Sequence, residues 1–165
     1  MIKKEAERSV RETIVPGVWT STIFFRSREH TVANRLLSQD DIENEILRKN
    51  FKDPRIHFAI ICASSSCPKL PKNAYTEANV QARLEEETRE YLNSERGVRI
   101  DRTRNTPYLS RIFDWSGEDF VEQSGSVANF IRPYLKREVV SFLDQKPKVK
   151  FLGYNWALNA QKPLR

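Results

Sequence analysis

Two long stretches of the chain carry apolar residues at helical spacing. The first follows Ser38, a residue type that caps helix N-termini, and its early acidic residues suit the positive end of the helix dipole. Ile42, Ile46 and Leu47 then recur at i, i+4 and i+5. This pattern predicts a helix that begins after Ser38 and fades near residues 49–50.

The strongest helical pattern runs from Thr76 to Asn93, with an apolar inner face and a charged outer face. Ser126 is placed to cap a further helix over 127–135, which Pro133 must bend or end. Residues 139–143 are expected to continue as helix, and residues 1–30 to form a short helix followed by a strand.

The β-strands are predicted from short β-branched and aromatic runs. Residues 55–62 become apolar on both faces, which is typical of a buried central strand. Shorter strands are expected at 98–101, 108–113 and 148–152. The predicted fold class is α+β, with a small sheet whose central strand lies near 55–62 and which is packed by several helices.

Composition narrows the class of protein. The 165 residues fit one domain, the net charge is +6, and no apolar run approaches the length of a transmembrane helix. Basic residues are interleaved with acidic ones, so nucleic-acid binding is not favoured. The N-terminal residues do not form an intact secretory signal. A cytoplasmic location is expected if Met1 is the true start, although a longer form could be exported.

The segment from His57 to Cys67 contains the candidate catalytic residues, a base at His57 and a nucleophile at Cys67. A nucleophilic thiol needs a neighbouring base or cation, and the predicted strand leads from an imidazole to a thiol. Because that strand would separate them by roughly 20 Å, the loop 63–71 must fold back for the two to meet. Amides near Ser65 and Ser66 could hold an oxyanion, or the loop could be ordinary and flexible.

Glu43 and three aromatic residues complete the candidate site. A carboxylate often orients a catalytic imidazole, so Glu43 could orient His57, or it could be a solvated first-turn acid. Three aromatic side chains could line a cleft or belong to the core: Trp115, Tyr154 and Trp156. The five glycines are not clustered, which excludes the usual phosphate-binding loops, and the sequence indicates no cofactor.

Several blocks resemble one family, known as the domain of unknown function 547. They are Ser38-x-x-Asp41-Ile42-Glu43-x-x-Ile46-Leu47-Arg48, Asp53-Pro54-Arg55-Ile56-His57-Phe58-Ala59-Ile60, Ser66-Cys67-Pro68-x-Leu70, Tyr75, Leu109-Ser110-x-Ile112-Phe113-x-Trp115-x-x-x-Asp119-Phe120, and Tyr154-x-Trp156-x-Leu158-Asn159. The resemblance implies a single domain over residues 17–160, with an N-terminal extension over 1–16 and a tail over 161–165.

The resemblance implies a marked acid, histidine and cysteine, which fall on Glu43, His57 and Cys67. By analogy of residue types it favours a thiol-dependent hydrolase or transferase, similar to papain-like or transglutaminase-like enzymes. Family members commonly have Gly where Ala63 stands and Asp where Asn155 stands. They also carry an upstream Trp-Ile-Asn-Ala-Tyr-Asn-like motif that is missing before Ser9, so the chain is expected to match the C-terminal two-thirds of the domain.

Two alternatives to a cysteine-nucleophile enzyme stay open for the same three residues. They could form a buried polar cluster in a non-catalytic interaction domain, or they could bind a catalytic zinc ion together with water. The enzyme interpretation implies an unidentified small-molecule or peptide substrate and no metal, while the oligomeric state is undetermined. Under every interpretation the side chains of Glu43, His57 and Cys67 are the ones to locate.

Overall fold

The computed structural model describes residues 25–145 and 147–159. The helix and strand predicted over residues 1–30 therefore lie mostly outside the described residues. The chain divides into two compact units, each described by itself. Unit 1 contains the described residues of Met1–Lys52, Ile61–Cys67 and Asn155–Arg165. Unit 2 contains those of Asp53–Ile60 and Pro68–Tyr154.

The described part of unit 1 contains a β-hairpin of two short strands. Strand β1, His30–Val32, pairs antiparallel with β2, Arg35–Leu37. The two linking residues, Ala33 and Asn34, have positive φ angles of 49° and 60°. A two-residue turn with positive φ at both positions matches the right-handed twist of the strands that it joins.

Helix α1 of unit 1 follows the hairpin. The sequence predicts this helix, which begins after Ser38, but not the hairpin. Helix α1 is π-helical over Asp41–Arg48 and α-helical over Lys49–Phe51, and Lys52 ends it with a φ of 48°. Ser38 caps it reciprocally: Asp41 N donates to Ser38 Oγ at 3.0 Å, and Ser38 N donates to Asp41 Oδ2 at 2.9 Å. This capping box satisfies two amides that a helix start leaves without partners.

Asp41 makes the stability of this cap depend on pH. Hydrogen bonds from Ser38 and Arg28 lower the pKa of Asp41 from 3.8 to about 2. A lowered carboxyl pKa stabilises the folded state above the unfolded value, and this contribution is lost as the pH falls toward 2. In urea unfolding between pH 5 and 2, the stability advantage of the wild type over Asp41→Asn should therefore shrink. An advantage that stayed constant across that range would contradict this assignment.

Unit 2 is built mainly from helices. A 3-10 helix, Pro54–Phe58, precedes the long helix α2, Val80–Leu92. Helices α3, Ile112–Trp115, and α4, Gly117–Ser124, follow in the second half. Helix α5, Val127–Ile131, continues into a 3-10 turn, Arg132–Tyr134, and α6 covers Arg137–Leu143. Ser126 Oγ caps α5 and Pro133 interrupts it, as predicted.

A three-stranded sheet completes unit 2. Strand β3, Val98–Asp101, pairs antiparallel with β4, Thr106–Leu109, and β4 pairs parallel with β5, Lys150–Phe151. The predicted strand 108–113 ends at Leu109, because Ser110 turns the chain and its Oγ accepts from Ile112 N at 3.3 Å. The α+β class is thus confirmed, with six α-helices and two small sheets among the described residues.

The predicted central strand at 55–62 is wrong. Residues 54–58 form the 3-10 helix, because Asp53 accepts a hydrogen bond from Arg55 N and Pro54 occupies the first turn with a φ suited to a helix. Ile56, His57 and Phe58 are all buried. A short apolar run looks the same in sequence whether a strand or a helix buries it.

Candidate functional site

His57 lies on the 3-10 helix of unit 2 and is 6% exposed. Its Nε2 is 2.7 Å from Oδ2 of Asp119, in the first turn of α4. The ring centroid of the neighbouring Phe120 lies 5.5 Å from that of His57. The imidazole is therefore packed against an aromatic ring and paired with a carboxylate, which orients the ring.

An ionic network fixes the 3-10 helix that carries His57. Asp53 accepts hydrogen bonds from the Arg55 side chain at 2.7–3.1 Å, and these bonds raise the pKa of the Arg55 guanidinium. Arg55 also donates to Gln81 at 2.6 Å and lies 3.8 Å from Glu85, both on α2. Asp53 therefore caps the 3-10 helix and also holds Arg55, and Arg55 in turn links this helix to α2.

Sequence reasoning did not select Asp119 as the partner of His57. The two residues are 62 positions apart, and no periodicity relates residues on separate elements at that distance. The sequence analysis quoted Asp119 and Phe120 in one of its motif blocks, but nothing in that block indicated which side chain the carboxylate would contact.

Cys67 ends a tight loop in unit 1 and is 4% exposed. Ala63 has a φ of 60°, and Cys67 N donates to Ser64 O at 3.1 Å, so the loop reverses direction here. Cys62 N donates to Cys67 Sγ at 2.9 Å. The Cys67 sulfur therefore accepts a backbone hydrogen bond from within its own loop.

Ser65 and Ser66 bind the C-terminal segment of unit 1. Ser65 N donates to Ala157 O at 2.7 Å, and Ser66 N donates to Asn155 O at 3.3 Å. Ser66 Oγ in turn accepts from Asn155 N at 2.9 Å. Both amides thus donate to backbone carbonyls in this structure, and the idea that they stabilise an oxyanion stays a prediction.

The remaining predicted residues are divided between the two units. Glu43 lies half-buried in the first turn of α1, in unit 1 with Cys67, whereas His57 lies in unit 2. Trp115 and Tyr154 meet within unit 2, where their ring centroids are 4.8 Å apart and Trp115 is 51% exposed. Trp156 belongs to unit 1. The structure therefore joins two of the three aromatic residues predicted to line a cleft.

The described residues offer neither a ready metal site nor a membrane-spanning helix. Within residues 25–145 and 147–159, no group of three or more His, Cys, Asp or Glu side chains is arranged to hold a metal ion. No helix in that same part of the chain has the length and apolar character needed to cross a membrane.

Comparison with known proteins identifies a family. No curated protein and no solved structure matches this chain. A family model matches residues 2–92, more than half of the 165 residues. The match starts before residue 17 and covers the N-terminal part of the chain, so it does not confirm the expected restriction to the C-terminal two-thirds of the domain. The chain belongs to the family described as "Protein of unknown function, DUF547".

Proposed function

We propose that this protein is a thiol-dependent hydrolase or transferase. Cys67 is the nucleophile, His57 is the general base and then the general acid, and Asp119 is the positioning residue that orients His57. The observation that carries the proposal is the 2.7 Å contact between His57 Nε2 and Asp119 Oδ2. Asp119, whose carboxylate contacts the ring, therefore takes the role of orienting His57 that was first expected of Glu43.

The His57–Asp119 pair has the features that a catalytic imidazole needs. The ring is buried, and one nitrogen is held by a carboxylate whose side chain is itself 25% exposed. A carboxylate on one ring nitrogen fixes the tautomer and stabilises the imidazolium that forms during proton transfer.

One feature of the loop that carries Cys67 supports its role as a nucleophile. The hydrogen bond from Cys62 N stabilises negative charge on Sγ, and the turn at Ala63 fixes the loop conformation that provides it. The donor belongs to the backbone, so it needs no reorganisation when the charge develops. Substitution of the Cys62 side chain leaves this donor in place.

The proposed reaction balances in two steps. The Cys67 proton passes to His57, and the thiolate then attacks a substrate carbonyl carbon to give a tetrahedral oxyanion. That oxyanion collapses as the leaving group takes the proton from His57, which leaves a thioester on Cys67. Water, in a hydrolase, or an amine or alcohol, in a transferase, loses a proton to His57 and attacks the thioester. The acyl product departs, and the thiolate recovers the proton.

A non-catalytic interaction domain is the second candidate function. It is favoured by burial, because Cys67 and His57 are only 4% and 6% exposed. Buried polar side chains that are hydrogen-bonded can specify a single packing without any chemistry. In this alternative, substitution of either residue lowers the stability of the fold, and the thiol behaves as an ordinary one.

Alkylation by iodoacetamide over pH 5–10 separates the two functions. In a Cys62→Ser background, where Cys67 is the remaining thiol, we expect the alkylation rate to reach half its maximum well below pH 8.5, the ordinary value for cysteine. His57→Gln should move that midpoint up toward 8.5, because it removes the imidazolium that pairs with the thiolate.

Urea unfolding of the same variants provides the control. A midpoint near 8.5 that His57→Gln leaves unchanged, together with a loss of stability, would reject the enzyme and support the interaction domain. His30→Gln is the matched variant, since it removes the other histidine in the sequence, which is exposed on β1. It should change neither the midpoint nor the stability.

A further inference from the structure

The outer face of the unit 2 sheet places three side chains in one row. The register pairs Arg99 of β3 with Tyr108 of β4, and Tyr108 with Lys150 of β5. Residues that are directly paired lie on the same face of a sheet, with neighbouring strands about 4.8 Å apart. An aromatic ring is therefore flanked on both sides by a basic residue.

The opposite face of this sheet packs against the core of unit 2. Its corresponding row is Val98, Leu109 and Phe151. Leu109 is buried within the hydrophobic cluster, and Val98 packs against that cluster. Since side chains alternate along each strand, the face that carries Arg99 and Lys150 points away from this core. Both of these basic residues are exposed.

Further basic residues border the row. The turn between β3 and β4 contributes Arg102 and Arg104, and Lys148 lies two residues before Lys150; all three are exposed. Asp101 is the acidic residue of these strands, and it lies 3.9 Å from Arg104. The border therefore gives this part of the sheet a positive charge that a single carboxylate does not balance.

The centre of the row combines a cation with an aromatic ring. The Arg99 guanidinium lies 5.3 Å from the centroid of the Tyr108 ring, which is half-buried. Stacking holds the guanidinium plane at the surface of the sheet. Guanidinium and aromatic planes are the groups on which proteins stack unpaired bases.

We propose that this face binds single-stranded nucleic acid. Lys150, Lys148 and the two turn arginines contact phosphates, and the Arg99–Tyr108 pair stacks on a base. An acidic peptide or an anionic membrane surface would use the charges but not the aromatic ring between them. Strands of two to four residues form a small platform, which suits splayed bases better than the groove of a duplex.

This inference goes beyond the proposed thiol chemistry and does not depend on it. The sequence analysis did not favour nucleic acid, because basic residues are scattered among acidic ones along the chain. Strand register brings Arg99 and Lys150 onto the two positions that flank Tyr108, although half of unit 2 separates them in sequence. The order of charges along the sequence does not show that these two basic residues lie on either side of Tyr108.

Fluorescence anisotropy with a labelled 15-nucleotide single strand, as RNA and as DNA, tests the proposal on the full chain. We expect binding that weakens as salt rises, with a slope of log K against log salt of roughly −0.7 for each phosphate contact. Lys148→Gln/Lys150→Gln, which removes two phosphate contacts, should reduce the magnitude of the slope by about 1.4. Tyr108→Leu should weaken binding about tenfold, and Tyr108→Phe should retain it, because the stacking ring remains.

Lys136→Gln/Arg137→Gln is the matched control, since it removes the same charge from exposed positions at the start of α6. It should leave the slope within about 0.3 of the wild-type value. Equal losses in the two double variants, or no binding at 20 mM salt, would overturn the proposal. So would equal binding of polyglutamate or phosphatidylserine vesicles, which would identify an acidic peptide or a membrane as the partner.

Discussion

Replacing Phe120 with alanine should lower the free energy of unfolding by about 3–5 kcal/mol. Phe120 is 0% exposed. Its ring centroid lies 4.8 Å from those of Phe113 and Phe130 and 6.0 Å from that of Phe58. Truncation would remove a ring that several others contact, and so loses both burial and the tilted aromatic contacts. Urea unfolding followed by circular dichroism measures the change.

Val121 supplies the matched control for this prediction. It is the next residue on α4, it is 48% exposed, and Val121→Ala should change stability by no more than about 0.5 kcal/mol. Phe120→Leu fills much of the space and should cost less than Phe120→Ala. A loss below about 1 kcal/mol for Phe120→Ala would show that the aromatic cluster does not hold unit 2 together.

The central position of Phe120 links the core to the candidate site. Phe120 packs against His57, and the preceding residue, Asp119, binds the imidazole. Because adjacent residues on a helix point in different directions, α4 can present one side chain to the core and the next to the ring. Packing of this core therefore sets where the carboxylate meets the imidazole.

The helices could be predicted because their signals are local. The cap at Ser38, the apolar face of Val80–Leu92 and the interruption at Pro133 depend on residues a few positions apart. The segment 54–58 could not be assigned in this way. Its apolar residues are buried by tertiary contacts, so their spacing shows no helical period. The local sign of a helix is Asp53 followed by Pro54, which marks a helix start and is not part of the apolar pattern.

The candidate site was proposed from residue types, and its pairings could not be predicted. A histidine and a cysteine in a distinctive block indicated thiol chemistry, which stays a prediction, and the structure shows that the loop reverses direction at Ala63. The partner of His57 depended on the packing of α4, which no local pattern encodes. The amides of Ser65 and Ser66 were assigned from composition, whereas the structure uses them to bind residues 155–157.

Asp119→Asn should slow alkylation of Cys67 at pH 7 by about tenfold or more, if Asp119 stabilises the imidazolium that pairs with the thiolate. The change removes one charge and keeps the shape, so packing around α4 should be preserved. Because the imidazolium loses its carboxylate, the midpoint of alkylation should rise by about one pH unit. The measurement is the iodoacetamide rate over pH 5–10 in the Cys62→Ser background.

Glu43→Gln separates the two carboxylates that could orient the ring. It makes the same chemical change on α1, and we expect it to alter the alkylation rate by less than about twofold and to leave the midpoint in place. The reverse result, with a shifted midpoint for Glu43→Gln alone, would return the orienting role to Glu43. If the role of Asp119 is purely structural, Asp119→Asn should lower the free energy of unfolding without moving the alkylation midpoint. In that case the thiol does not depend on the imidazolium, so loss of the carboxylate leaves its titration unchanged.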